Sequence, residues 1–269
     1  MSSTATFNQL PLINSRLQQA HYHIDDDLGA ATFYMQPEPR PCFNTGLLNE
    51  LRSFQKAVAR KVWIDTQQTG ASNLKYTVLA SSMPGIFNLG GDLNLFLQLI
   101  QQQDRDALQQ YAISCIDIVH QMSVSLESPL TTIALIQGSA QGGGLEAALS
   151  CNVIIAERGT QLGFPEVLFN LFPGMGAYSF LIRRTTPDVA ERLLTSGELL
   201  TAQEMLDLGL IDAIAEDGEG EQVIEEFIRR YHKKSNAHAA LNRVRQTVNP
   251  ITYEELIRIT NIWVETALQ

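Results

Sequence analysis

The sequence predicts an α/β fold, and three observations carry the prediction. β-rich apolar runs alternate with segments of helical period, an order that builds layers of helix on sheet. The succession of strand, glycine-rich loop and helix occurs twice, over 75–100 and 131–151. The chain has 269 residues, 45% of them hydrophobic, enough to bury a sizeable core. We divide it into a core over 1–215, carrying a β-hairpin near its start, and a helical region over 216–269.

Residues 1–20 read as a polar lead-in, without the basic start or apolar stretch of a signal peptide. HYHIDDDLGAATFYM, 21–35, reads as a hairpin turning at Asp25, Asp26 and Asp27. Those aspartates are turn charges facing water, because no ligand set accompanies them at metal spacing. A helix is expected over 45–59, with Leu47, Leu48, Leu51, Phe54 and Val58 on one face and Arg60 and Lys61 closing it. KYTVLA, 75–80, is a buried strand. The loop after it, SSMPGIFNLGGDL, carries Gly85, Gly90 and Gly91, and Asp92 is placed to cap the next helix.

A further long helix spans 105–125, with Leu108, Tyr111, Ala112, Cys115, Ile118 and Val119 on its apolar side. Strand 131–136 leads to the triplet Gly142-Gly143-Gly144, the short helix LEAALSC and another apolar run at 152–156. Residues 178–210 read as two helices. The first opens at Thr186-Pro187 and ends at Gly197, and the second opens on the capping box Thr201-Ala202-Gln203-Glu204. A short strand over 211–215 and the charged link EDGEGE lead to the helices of 221–269. Those helices have little of their own to bury, so they are expected to cover the body or a neighbouring subunit.

The net charge of −10 argues against nucleic acid and anionic membrane surfaces. No apolar run reaches the roughly 18 residues of a membrane span, so no membrane insertion is expected. Cys42, Cys115 and Cys151 fit neither a disulfide framework nor a zinc site and read as reduced thiols of a cytoplasmic protein. The glycine loops are not a Walker A loop, because no Gly-Lys-Ser/Thr follows, and they lack the G-x-G-x-x-G spacing of dinucleotide sites. No metal or cofactor is expected.

Two glycine loops that open onto helices can each aim one backbone N–H at a common point. Two such groups meeting at a carbonyl oxygen form an oxyanion hole, which suits a thioester passing through an enolate or a tetrahedral intermediate. Glu146 and Glu166, twenty positions apart, are carboxyls in apolar sequence surroundings. Such carboxyls are costly unless paired or used, and burial raises their pKa toward working pH. They could move protons at an α-carbon and at a water or β-hydroxyl.

FNLGGDL, QGSAQGGGLEAALSCNVIIA, LGFPEVLFNLFPGMGA and LLTSGELLTAQEMLDLGLIDAI resemble, in order, the landmarks of the enoyl-CoA hydratase/isomerase (crotonase) superfamily. The resemblance implies a core of repeated ββα turns and a trimer with C-terminal helices at its interface. It places the oxyanion N–H groups on Gly91 and Gly143, and the acid/base pair on Glu146 and Glu166. The flanking Leu89, Gly90 and Gly142 would hold the substrate. The apolar Leu168-Phe169 and Leu171-Phe172, with Met175, suit either the lining of an acyl-tail tunnel or the core. Within the superfamily, FNLGGDLNLFLQLI, PEVLFNLFPGMGAYSF and RITNIWVETA look most like the bacterial diffusible signal factor synthases. That resemblance implies dehydration of a 3-hydroxyacyl thioester on acyl carrier protein to the cis-2-enoyl form. Hydrolysis would then release a free cis-2-unsaturated fatty acid, a quorum signal. It also implies association with a signal receptor or sensor protein.

The motif does not assign which glutamate serves which step. Leu93-Asn94-Leu95-Phe96 stands where CoA-using hydratases often carry a basic residue after the loop aspartate. Lys56, Arg60 and Lys61, or Arg183 and Arg184, are candidate docks for an acidic carrier protein. A plain enoyl-CoA hydratase and a non-catalytic acyl-binding regulator are the competing readings.

Overall fold

The computed structural model describes residues 15–269. Most of the expected polar lead-in lies outside the described residues. The chain opens with β1 (Ser15–Arg16), β2 (Ala20–Asp25), β3 (Ala30–Met35) and α1 (Thr45–Thr69). A first unit comprises β4 (Tyr76–Ser81), β5 (Ile86–Asn88) and α2 (Leu93–Gln101), followed by α3 (Arg105–Ser123). A second comprises β6 (Thr131–Ile136), β7 (Ser139–Gln141) and α4 (Gly143–Leu149), and a third β8 (Val153–Glu157), β9 (Gln161–Gly163) and α5 (Ala177–Leu181). After α6 (Pro187–Ser196), β10 (Leu199–Thr201), α7 (Ala202–Asp207) and β11 (Ala213–Ala215), the chain closes with α8 (Gly220–Tyr231), α9 (Ser235–Val248) and α10 (Tyr253–Ala267).

These are the repeated ββα turns that the resemblance implied. The long strand of each unit joins a sheet ordered β1-β2-β3-β4-β6-β8-β11, parallel from β3 onward. The short strands form a second sheet, β10-β9-β7-β5. The central strands β4 and β6 are buried at every position, as uninterrupted apolar runs such as TTIALI require between two covered faces. The short strands set up the site. β5 pairs with β7 in parallel, Asn88 opposite Ala140, so the glycines that follow each strand emerge side by side.

Local signals explain the ends of most elements. Asn44 caps α1 by accepting from Leu47 N (2.8 Å), and Asp92 caps α2 by accepting from Asn94 N (3.2 Å) and Leu95 N (3.3 Å). The capping box at Thr201 and Glu204 is present. Two expectations need correction. α1 does not stop at Arg60-Lys61: Val62 continues its buried stripe and Lys61 pairs one turn on with Asp65 (3.2 Å). It ends at Gly70, which at φ 82° takes the left-handed turn and donates its N–H to Thr66 O (3.0 Å). Residues 178–210 are not simply two helices. α5 stands apart from α6, and the three residues of β10 pair antiparallel with β9 at a sheet edge.

The helical region closes over the body. α10 packs along α3, with Leu256, Thr260, Trp263 and Val264 buried. Arg183 clamps its start by pairing with Glu255 (2.9 Å).

Candidate active site

Gly90 and Gly143 are nearly in contact: a Cβ added to Gly90 would meet Gly143 N at 2.9 Å. Asn88 fixes the first loop, its Oδ1 accepting from Gly90 N (2.8 Å). The second loop is tied to β9 by Gly142 N, which donates to Gly163 O (2.9 Å). Among the described residues, no group accepts a hydrogen bond from the N–H of Gly91 or of Gly143. Both glycines line one cavity of about 280 Å³, with Gly142, Glu146, Glu166, Phe172 and Met175. Gly142 takes φ 51° and ψ −125°, open to glycine alone, and the Glu166 carboxyl lies against its Cα where a side chain would stand.

Glu146, on the first turn of α4, is 1% exposed. Its Oε1 accepts from Met175 N and Ala177 N (2.8 Å each), so the segment after Pro173-Gly174 orients it. Burial first, then repulsion from Glu166, pushes its carboxyl well above the usual range, against the pull of those two N–H groups. Glu166, in the 3₁₀ turn Pro165–Phe169, is pushed up to about 7 by burial, and its Oε2 is buried without a hydrogen-bond partner. Burial thus holds both carboxyls above the usual range, and Glu166 is poised to exchange its proton near neutral pH. That pair, beside two free N–H groups, can give a proton, take a proton and stabilise an oxyanion.

Other residues singled out from the sequence fall as follows. Leu89 and Phe169 line the cavity, and Phe169 stands exposed at its mouth. Gly90 lies behind Gly91 as the contact between the loops. Leu168 is a correction: it is 68% exposed, does not line the cavity and packs over Gly197, because the 3₁₀ turn directs it away. Arg183 and Arg184 are not free docking cations. Arg183 holds Glu255, and Arg184 donates to Cys151 O (2.6 Å) and pairs with Asp212 (3.5 Å).

Sequence reasoning missed several wall residues. Tyr111 and Cys115 read from sequence only as the apolar side of a helix, and Phe96 and Trp263 carry no signal of a wall position, whereas Leu171 lines the cavity as one of the tail-tunnel candidates. The Cys115 thiol, pushed up to about 12 by burial, is part of an inert wall. A tyrosine on an apolar stripe was the available signal, since a buried hydroxyl needs a partner.

The carboxyl burial makes a stability prediction. Glu166 binds its proton more tightly folded than unfolded, so its charge costs stability above about pH 7, and that cost is gone below its ordinary value of 4.5. Glu166→Gln is therefore expected to melt several degrees above wild type at pH 8, at about 2–4 °C per kcal/mol, with the margin closing near pH 4.5. Paired melting curves across that range check it. An equal or lower melting temperature for the variant at pH 8 contradicts the burial argument.

The family profile for enoyl-CoA hydratase/isomerase matches residues 54–262. The enoyl-CoA isomerase/hydratase fer4 of Mycosarcoma maydis is 30% identical over 181 residues, 67% of this chain and 62% of that protein. This chain thus spans less than two thirds of that relative's length. Among solved structures, the enoyl-CoA hydratase of Bacillus halodurans superposes with a TM-score of 0.76 at 24% identity, covering 94% of this chain and 96% of that one. Pseudomonas aeruginosa DspI superposes with a TM-score of 0.69 at 20% identity, covering 96% and 95%. At these identities the structural likeness speaks for the fold.

Proposed function

Because the chain belongs to the enoyl-CoA hydratase/isomerase family, we propose that its cavity dehydrates a 3-hydroxyacyl thioester and then hydrolyses the enoyl thioester to a free 2-unsaturated fatty acid. The observation that carries the first step is the pair of buried carboxyls, both held above the usual carboxyl range, beside two unpartnered glycine N–H groups. The thioester oxygen sits between Gly91 N and Gly143 N. Glu166, which ionises near neutrality, takes the α-proton. The enolate formed is held by the two N–H groups and expels the β-hydroxyl as water, protonated by Glu146. For hydrolysis the same hole holds a tetrahedral intermediate. A water, giving its proton to a carboxylate, bonds to the carbonyl carbon, and the thiol leaves with a proton.

The carrier-protein substrate, the cis geometry and the role as a quorum signal rest on the resemblance to diffusible signal factor synthases. The absence of a basic residue at Leu93–Phe96 supports a carrier other than CoA. We also propose a trimer and a cytoplasmic setting. Leu241, Val244 and Val248 form an exposed apolar stripe on α9 suited to a neighbouring subunit, and no helix among the described residues is long and apolar enough to cross a membrane. Association with a sensor protein rests on the resemblance alone. The second reading, a plain enoyl-CoA hydratase, is favoured by the family profile and by the likeness to fer4.

The test is mass spectrometry of products from purified protein mixed with a medium-chain 3-hydroxyacyl carrier protein, beside the CoA analogue. Free 2-enoic acid is expected from the carrier substrate, with chromatography against cis and trans standards fixing its geometry. An intact thioester, or turnover of CoA substrate only, transfers the case to the hydratase.

A further inference from the structure

One hydroxyl ties together the elements behind Gly91. Gly90 O accepts from Phe43 N (2.8 Å). In a trans peptide the carbonyl and the next N–H point opposite ways, so this bond turns Gly91 N–H away from Phe43. Phe43 itself is held through its own carbonyl, which accepts from Tyr111 Oη (2.6 Å). Tyr111 Oη in turn accepts from Asp92 N (3.1 Å). The peptides on both sides of Gly91 are therefore referred to one atom, directly through Asp92 and indirectly through Phe43. The phenol has one proton to donate and lone pairs to accept with, so both bonds form at once.

The ring is equally constrained. Tyr111 is buried on α3 with its edge against Phe96 (centroids 5.2 Å apart, planes at 85°), and Phe96 covers the Cα of Gly91. Burial raises the phenol well above its ordinary pKa, so it stays a donor. Arg40 holds the Asp92 side chain from outside (2.8 Å), but the backbone N–H of Asp92 goes to Tyr111.

We propose that Tyr111 is a positioning residue for the oxyanion donor Gly91, its hydroxyl fixing the direction of that N–H. This rests on the reading that Gly91 and Gly143 receive a thioester oxygen. Simple packing would require only the ring. Tyr111→Phe keeps the ring and the backbone bridge of Phe43 with Gly91, and removes only the hydroxyl that joins Phe43 O to Asp92 N.

The experiment compares wild type and Tyr111→Phe in two readouts. The first is steady-state dehydration. We expect kcat to fall about 10–10²-fold, the scale of a slight misplacement at a reacting centre, with KM within about threefold. The second is the ultraviolet band of the enolate that a 3-oxoacyl thioester forms when bound. Its enolate fraction should fall in the variant while affinity for the 2-enoyl thioester is kept. A folded variant with wild-type kcat and enolate band overturns the assignment, as does a variant in which KM alone rises. If wild type itself neither turns over nor gives the band, the reading of the site fails, and Tyr111 with it. Should Tyr111→Phe not fold, ring-fluorinated tyrosine at 111 keeps the shape and weakens the acceptor oxygen. A reduced band then supports the role, and an unchanged one overturns it.

Discussion

Glu166→Gln is expected to lower turnover of a 3-hydroxyacyl thioester by about 10²–10⁴-fold, the range for loss of a positioned base. Glutamine is nearly the same shape, so Gly142 and the 3₁₀ turn should keep their places. What disappears is the ability to hold a proton taken from the α-carbon. The wild-type pH profile makes the same point. With Glu166 pushed up to about 7, the protein below that pH holds a protonated carboxyl that cannot accept. Turnover should therefore rise with pH and level off above about 7. In Glu166→Gln the residual rate should lose that inflection. Glu146→Gln provides the contrast, since its amide oxygen can still accept from Met175 N and Ala177 N. It should fold normally yet lose the proton donor for the leaving hydroxyl. Rates for Glu166→Gln within about threefold of wild type, with the inflection intact, would move the base elsewhere.

The layered fold and both glycine loops could be read before any coordinates because their signals are local. A strand run such as TTIALI, a cap such as Asp92 and a triplet such as Gly142-Gly143-Gly144 each act within a few residues. The second sheet could not, since β5, β7, β9 and β10 are only three residues long and exist by pairing with one another. Yet that sheet is what sets Asn88 beside Ala140 and brings the loops together. The two carboxyls were visible as residue types, but their burial in one cavity was not, because Glu146 is oriented there by Met175 and Ala177, roughly thirty positions downstream. Leu168 and Phe169 are adjacent and alike in sequence, and only the turn they occupy sends one into the cavity wall and the other over Gly197. Tyr111 looked like core because its stripe is core. Its hydroxyl acquires a meaning only when Phe43 and Asp92, sixty-eight and nineteen positions away, arrive at the same point.

Gly143→Ala should separate activity from stability without replacing either carboxyl. Gly143 begins α4 without a positive φ, so alanine fits its backbone and is the better helix former. The obstacle is the space. The new Cβ would meet Met175 Sδ at 2.6 Å and Gly90 Cα at 3.2 Å. The flexible thioether can move, but Met175 also carries an N–H that orients Glu146, and Gly90 belongs to the opposing loop. Accommodation therefore spreads the two donors and disturbs the carboxyl beside them. We expect turnover to fall about 10²–10³-fold, the cost of losing one oxyanion donor, with a melting temperature within about 3 °C of wild type. Gly142→Ala should lose both, because its φ of 51° disfavours any side chain and its Cβ would enter the Glu166 carboxyl. Melting curves and single-turnover rates on the two variants test the pair. If Gly143→Ala unfolds early, or keeps its rate while folded, the close approach of the two glycine loops is not what the site depends on.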